Sequence, residues 1–311
     1  MKRFVSKLLL LSTLAPCLAH AANPMLSAGP HDADLGDVRL HYVVAGSGPI
    51  VLATSPGWGV SSVYLQNGLT PLESRFTMVF IDTRGSGGST RPADRAQMSE
   101  SVMADDIEKL RVLLGLDSIR LLGHSDGGAI ALDYAERHPE HVRKLLLIAP
   151  GILGDRPMQA IAAYLKLWAD DPHYRSAVQE QAKKDPPDLT DEEFEIRLHA
   201  LLPLYFADPQ RYLPVFEKTL EGMHPSAYAQ QTEVEAKKKE ARDQTKDYGK
   251  VRAQTLIMNG TVDWICPYEA AQRAQAGIAG SQLSLYANKG HFLWIEDPDR
   301  FFAEALAFFG D

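Results

Sequence analysis

A serine hydroxyl becomes a useful nucleophile only beside a base that takes its proton and an acid that orients the base. Gly123-His124-Ser125-Asp126-Gly127 offers the serine. Its G-x-S-x-G spacing suits a sharp turn in which small neighbours let a strained serine project its Oγ. An apolar strand pattern runs into the motif, and Gly127-Gly128-Ala129 opens a helical pattern after it. A phosphate-cradling loop is the rival reading, but the segment has neither the lysine of a P-loop nor G-x-G-x-x-G spacing. His124 and Asp126 flank the serine and are expected to shape the pocket and brace the turn.

Ten histidines compete for the role of base, so position must choose. His291, in Lys289-Gly290-His291-Phe292, lies between the last strand pattern and the last helix pattern. His138 and His141 sit around a helix end and read as surface residues; His173, His199 and His224 fall in a helical insertion. The acid should leave the strand before the histidine's strand. Asp263 does so, in Asn259-Gly260-Thr261-Val262-Asp263 directly after Thr255–Met258; Asp155 is a second choice. A tetrahedral intermediate also needs two backbone N–H donors. One is Asp126; the other is Gly57 or Trp58 in Ser55-Pro56-Gly57-Trp58-Gly59, where Pro56 has no N–H to give. The sequence does not choose between those two. This chemistry calls for no metal and no organic cofactor.

Short β-rich runs alternate with helical patterns, the signature of a mostly parallel sheet covered by helices. Val38–Val44, Ile50–Ala53, Met78–Ile81, Ile119–Leu122, Val142–Ile148, Thr255–Met258 and Leu283–Tyr286 read as strands. Helices are expected over Met103–Leu116, Ala129–His138, Tyr268–Ala276 and Asp299–Phe309. Between 152 and 250 this rhythm breaks into helix-like sequence with many aromatics, punctuated by Asp-Pro pairs. Such an insertion suits a lid over the carboxyl edge of the sheet, where substrates of open α/β sheets bind. The charged stretch Glu233–Lys250 is read as a solvated helix face.

Apolar residues make up 45% of the 311-residue chain, enough for a sizeable core. Met1-Lys2-Arg3 with Lys7, the apolar run to Leu18 and Ala19-His20-Ala21 have the form of a secretory signal peptide. A lipoprotein signal at Cys17 fits less well, because Pro16 precedes it. Secretion or a periplasmic location is expected, with no stable membrane insertion after cleavage. Loss of residues 1–21 removes Lys2, Arg3 and Lys7 and no acid, so the formal charge moves from −8 to −11. So acidic a protein without a basic stripe is a poor partner for nucleic acid. Cleavage also leaves Cys266 alone, without an internal disulfide, and read as a packed small side chain. Oligomeric state is not legible.

With these residues in view, the chain resembles the α/β-hydrolase superfamily over nearly its whole mature length, and within it lidded members related to proline iminopeptidases. Four segments carry the likeness: Ser55–Gly59, Asp82-Thr83-Arg84-Gly85-Ser86-Gly87-Gly88-Ser89, Gly123–Gly128, and the Asp263/His291 pair. The resemblance implies an α/β fold with a mostly parallel central sheet flanked by helices and a helical lid after the sixth strand. The core would comprise residues 22–151 and 251–311, and the lid 152–250. In the second segment, arginine and small residues would shape the pocket floor. The iminopeptidase His-Gly-Gly-Pro-Gly is here Ser-Pro-Gly-Trp-Gly, and the Gly-Gly-Ser-Trp-Gly elbow is Gly-His-Ser-Asp-Gly. The leading expectation is therefore cleavage of a carboxylic ester or lactone. The substrate would be a small molecule whose apolar or aryl portion meets Trp58, Trp264 and the lid aromatics. An aminopeptidase and a non-catalytic ligand-binding homologue are the alternatives.

Overall fold

The computed structural model describes residues 23–310; the expected signal at 1–21, with Cys17, lies outside them. Its sheet contains β1 (Gly29–Asp34), β2 (Arg39–Gly46), β3 (Ile50–Thr54), β4 (Thr77–Ile81), β5 (Ile119–His124), β6 (Val142–Ile148), β7 (Gln254–Gly260) and β8 (Gln282–Tyr286). The strand order is β1-β2-β4-β3-β5-β6-β7-β8. Pairing is antiparallel from β1 through β2 to β4 and parallel across the rest. Strands β3, β5, β6 and β7 are buried on both faces over most of their length, as the apolar runs at their centres require. Strand β1 escaped the sequence reading. It is the polar edge segment Gly-Pro-His-Asp-Ala-Asp, paired on one side only, so no apolar alternation marks it.

Helices α1 (Val63–Gly68), α2 (Glu100–Leu113), α3 (Asp126–Arg137), α4 (Met158–Trp168), α5 (Arg175–Gln181), α6 (Asp191–Leu201), α7 (Pro209–Phe216), α8 (Ala227–Glu240), α9 (Tyr268–Gly277), α10 (Leu293–Glu296) and α11 (Pro298–Gly310) complete the outline. Successive strand residues serve opposite faces. Leu52, Leu121 and Leu145 join Ile107 of α2, Ile130 of α3 and Ala271 of α9 in one core. Val51, Leu122 and Leu146 join Leu65 of α1 and Phe301 and Phe309 of α11 in the other. Both α2 and α3 start earlier than expected. Their first turns hold a buried acid, Glu100, and the pair Gly127-Gly128, neither of which carries an apolar signal.

Helices α4–α8 lie between β6 and β7, where the sequence breaks rhythm. The Asp-Pro pair at its centre acts as expected of a helix start: Asp208 accepts the Arg211 N–H while Pro209 occupies the first turn. Part of the insertion packs Ile161, Trp168, Tyr174 and Leu204 in a small cluster around Trp264, which follows β7. Among the described residues no helix is long and apolar enough to cross a membrane.

Arg84 is not at the pocket floor, and none of residues 82–89 lines the cavity described below. The guanidinium is fully buried and binds Asp106 through two hydrogen bonds, 2.7 and 2.6 Å long, with Asp37 at 2.9 Å. Asp82 accepts the N–H groups of Ser62 and Gly88. The segment is thus a brace between β4 and α2. Truncating one partner of a buried pair leaves the other charge uncompensated, at a cost of about 3–5 kcal/mol. Arg84→Met should lower the urea midpoint by an amount equivalent to that range; a loss below about 1 kcal/mol would remove Asp106 from this role.

Candidate active site

Ser125 stands where β5 turns into α3, with φ 58° and ψ −128°. L-residues seldom adopt positive φ, and the turn is held by its surroundings. The Ser125 N–H donates to Ile148 O at 3.0 Å, and its carbonyl accepts from Gly128 and Gly151 at 2.9 and 2.7 Å. Gly123 is required sterically: a Cβ there would collide with the Gly127 carbonyl and lie 2.8 Å from Ala131 Cβ.

His291 and Asp263 meet as expected. His291 Nδ1 lies 2.7 Å from Asp263 Oδ2, with both residues 1% exposed. The other Asp263 oxygen accepts the N–H groups of Ile265 and Cys266 at 3.1 and 3.0 Å, so the carboxylate is fixed from two sides. The carboxylate thus holds Nδ1 and leaves Nε2 as the imidazole's other nitrogen. The backbone of His291 is tied to the insertion, its N–H donating to Tyr205 O at 2.8 Å. Cys266 is buried, and burial raises its thiol pKa well above the usual value. Asp155, the second-choice acid, pairs with Arg273 at 2.6 and 2.7 Å instead.

Ser125 and His291 line one cavity of about 660 Å³. Among the described residues no hydrogen bond joins the serine hydroxyl to the imidazole; such bonds are often long before substrate binds. The neighbouring residue makes the connection: His124 Nε2 lies 3.2 Å from His291 O, and the two rings are 4.5 Å apart. A carbonyl only accepts, so Nε2 of His124 carries the proton and its Nδ1 accepts from Tyr64 Oη at 2.9 Å. Burial, then the neighbouring His291, push the His124 pKa well down and keep the ring neutral. His124 braces the site, as its position beside the serine implied. The cavity walls are largely apolar, with Phe194, Leu198, Leu202, Phe216 and Met223 from the insertion and Trp58 and Trp264 from the core. His199 also lines it.

The two candidate donors in the Ser55–Gly59 segment are not equivalent. The Trp58 N–H already donates to Glu233 Oε2 at 2.5 Å, which leaves Gly57 and Asp126. Glu233 also corrects the reading of Glu233–Lys250 as a solvated face: it is 1% exposed. One turn on, Lys237 Nζ lies 2.7 Å from Asp126 Oδ1 and contacts Glu100. Burial opposes the Lys237 charge, but Asp126, Glu100 and Glu233 outweigh it and raise its pKa. Burial and the neighbouring acids raise Glu233 well above the carboxylate range and push Glu100 to about 8. No helical periodicity could reveal these roles, because the acids and the lysine sit in a charge-rich stretch. Glu296 was missed likewise. It accepts the N–H of Gly290, beside His291, at 2.8 Å and that of Ala207 at 3.2 Å, and burial lifts its pKa to about 7.

These features, a strained serine turn on a mostly parallel sheet and an acid–histidine pair beyond the ends of its last two strands, β7 and β8, define an α/β hydrolase. A family model described as alpha/beta hydrolase fold matches residues 51–298, and the chain belongs to that family. Among its relatives, the 2-hydroxy-6-oxononadienedioate/2-hydroxy-6-oxononatrienedioate hydrolase of Klebsiella pneumoniae is 30% identical over 288 residues, covering 87% of each chain. The 2-hydroxy-6-oxo-6-phenylhexa-2,4-dienoate hydrolase of Comamonas testosteroni is 27% identical over 288 residues, covering 88% of this chain and 92% of that one. The solved enol-lactonase of Burkholderia xenovorans shares the fold, with TM-score 0.68 at 20% identity over 90% of this chain and 100% of that one.

The raised carboxylates predict a pH dependence. Folded Glu100 keeps its proton until about pH 8, whereas in the unfolded chain it ionises near about 4.3. The folded state therefore holds the extra proton across that interval, and stability falls as pH rises through it. Between about pH 7 and 8 unfolded histidines are mostly neutral, so they offset little of this term. The urea midpoint should fall across that window, and fall less in Glu100→Gln. Equal declines in the two proteins would remove Glu100 from the account.

Proposed function

We propose that the chain is an exported serine hydrolase that cleaves a carboxylic ester or lactone through an acyl-enzyme. One observation carries this reading: a serine in a strained strand-to-helix turn opens onto the same apolar cavity as an imidazole already oriented by a buried carboxylate. Ser125 Oγ attacks the substrate carbonyl while His291 Nε2 takes its proton. The amides of Asp126 and Gly57 receive the oxyanion, each such donor being worth about 10²–10³ in rate. His291 returns the proton to the leaving alkoxide, and a water activated by the same imidazole then releases the acid. Asp263 keeps the imidazole in the tautomer this cycle needs. The largely apolar walls suit a small substrate with an apolar or aryl portion.

The names of the relatives favour a second reading on the same residues, in which the substrate is a 2-hydroxy-6-oxo dienoate. With p-nitrophenyl butyrate the purified protein should release a burst of p-nitrophenol close to one equivalent. Ser125→Ala should abolish the burst and lower turnover by at least about 10³-fold. Wild-type turnover no faster than that of Ser125→Ala would end the serine mechanism. Efficient cleavage of Pro-β-naphthylamide with no ester turnover would move the activity to an aminopeptidase.

Export has its own measurement. N-terminal sequencing of the protein recovered from periplasm or medium should begin after Ala21; a mature protein that retains Met1 would overturn cleavage.

A further inference from the structure

Two residues one turn apart on α8 reach the two segments that carry the proposed oxyanion amides. Glu233 Oε2 accepts the Trp58 N–H at 2.5 Å, next to Gly57. Lys237 Nζ holds Asp126 Oδ1 at 2.7 Å. The first segment needs a restraint. Gly57, Trp58 and Gly59 have φ of 72°, 53° and 67°, three successive residues in the left-handed region, and one of them is a tryptophan with no preference for it. Among the described residues the bonds that hold them are few: Val60 N–H to Gly57 O and Ser226 N–H to Gly59 O, both 2.8 Å, and the Glu233 contact. Ser226 is the N-cap of α8, so two of the three come from that helix and its cap.

The fit around Glu233 is close and specific. A Cβ on Gly57 would stand 2.5 Å from Glu233 Oε2, so this glycine admits the carboxylate. Glu233 is buried, and its Oε1 has no hydrogen-bond partner among the described residues. A buried carboxyl group with a single acceptor bond is costly to keep. That single bond goes to the turn beside the reacting serine.

We propose that Glu233 and Lys237 are positioning residues of the oxyanion hole, Glu233 fixing the 57–59 turn so that the Gly57 N–H faces the substrate oxygen and Lys237 fixing Asp126 on the opposite side. This rests on Ser125 being the nucleophile. Helix α8 then contributes to the catalytic geometry and does more than cover the cavity. Donors set for the oxyanion act on the transition state and scarcely on the bound substrate, so their loss should appear in kcat and leave KM alone.

The test compares Glu233→Leu, Glu233→Gln and Lys237→Met with the wild type on p-nitrophenyl butyrate, with Tm and fluorophosphonate labelling of Ser125 measured in parallel. Leucine fills the volume without an acceptor; glutamine keeps one. A misplacement of about 1 Å in such a site costs up to about 10²-fold. Glu233→Leu should therefore lose about 10- to 100-fold in kcat at unchanged KM, with Glu233→Gln recovering to within about threefold of wild type. Lys237→Met should lower kcat in the same way from the Asp126 side, which keeps the result from hanging on one variant's folding. Wild-type kcat in both Glu233→Leu and Lys237→Met overturns the proposal. So does an equal loss in the leucine and glutamine variants, or a loss that follows Tm and raises KM. A wild-type protein that fails to label at Ser125 instead removes the serine mechanism itself.

Discussion

The backbone of Ser125 is held in a conformation that an L-residue avoids, and much of the surrounding structure serves to hold it there. Its N–H and carbonyl are bound by Ile148, Gly128 and Gly151, which lie on or beside β6 and α3. These partners are available only because β5 runs in parallel between β3 and β6, which brings three strand ends to one edge. Gly123 and Gly127 lack side chains where any Cβ would meet backbone, at the Gly127 carbonyl in one case and Thr54 O in the other. Strain of this kind costs about 1–3 kcal/mol and persists only where the surroundings over-determine it. The same geometry sets the direction of the serine hydroxyl and places the Asp126 amide at the start of α3.

Charge burial is the second constraint. Glu100, Asp126 and Glu233 crowd around one lysine, close to the serine turn. Two of the three are fully buried, a placement that an ordinary surface ion pair would not repay. The raised pKa values of Glu100 and Glu233 follow from burial first and from the neighbouring Asp126 second. Natural proteins tend to keep such expensive arrangements where function needs them. Its position between the helical insertion and the elbow is consistent with that tendency.

The insertion also secures the histidine side. Tyr205 O receives the His291 N–H, while the Glu296 carboxylate joins the amide before His291 to Ala207 of the insertion. The aromatic rings of Phe206, Phe216 and Phe292 stack in the same region, Phe216 and Phe292 at 3.9 Å between centroids. Both halves of the site thus touch residues from 152–250.

What the sequence determined by itself was the local grammar. Apolar runs bounded by glycine and proline gave the central strands, because a strand buried on both faces must be apolar throughout. The glycines around Ser125 gave the elbow, and the strand-end positions of Asp263 and His291 followed from the order of elements. Tertiary structure decided the rest. Glu233 and Trp58 are 175 positions apart, and Lys237 and Asp126 are 111 apart. A charged residue in a lysine- and glutamate-rich helix looks the same in one dimension whether it faces water or a buried amide. Only the docking of α8 selects between those fates, and with it which amide beside Gly57 is already spent. Arg84 shows the same limit: the family resemblance implied a place at the pocket floor, and the fold gave it to Asp106. Periodicity reports which face of an element is apolar, whereas the partner of a polar group depends on what the fold brings opposite it.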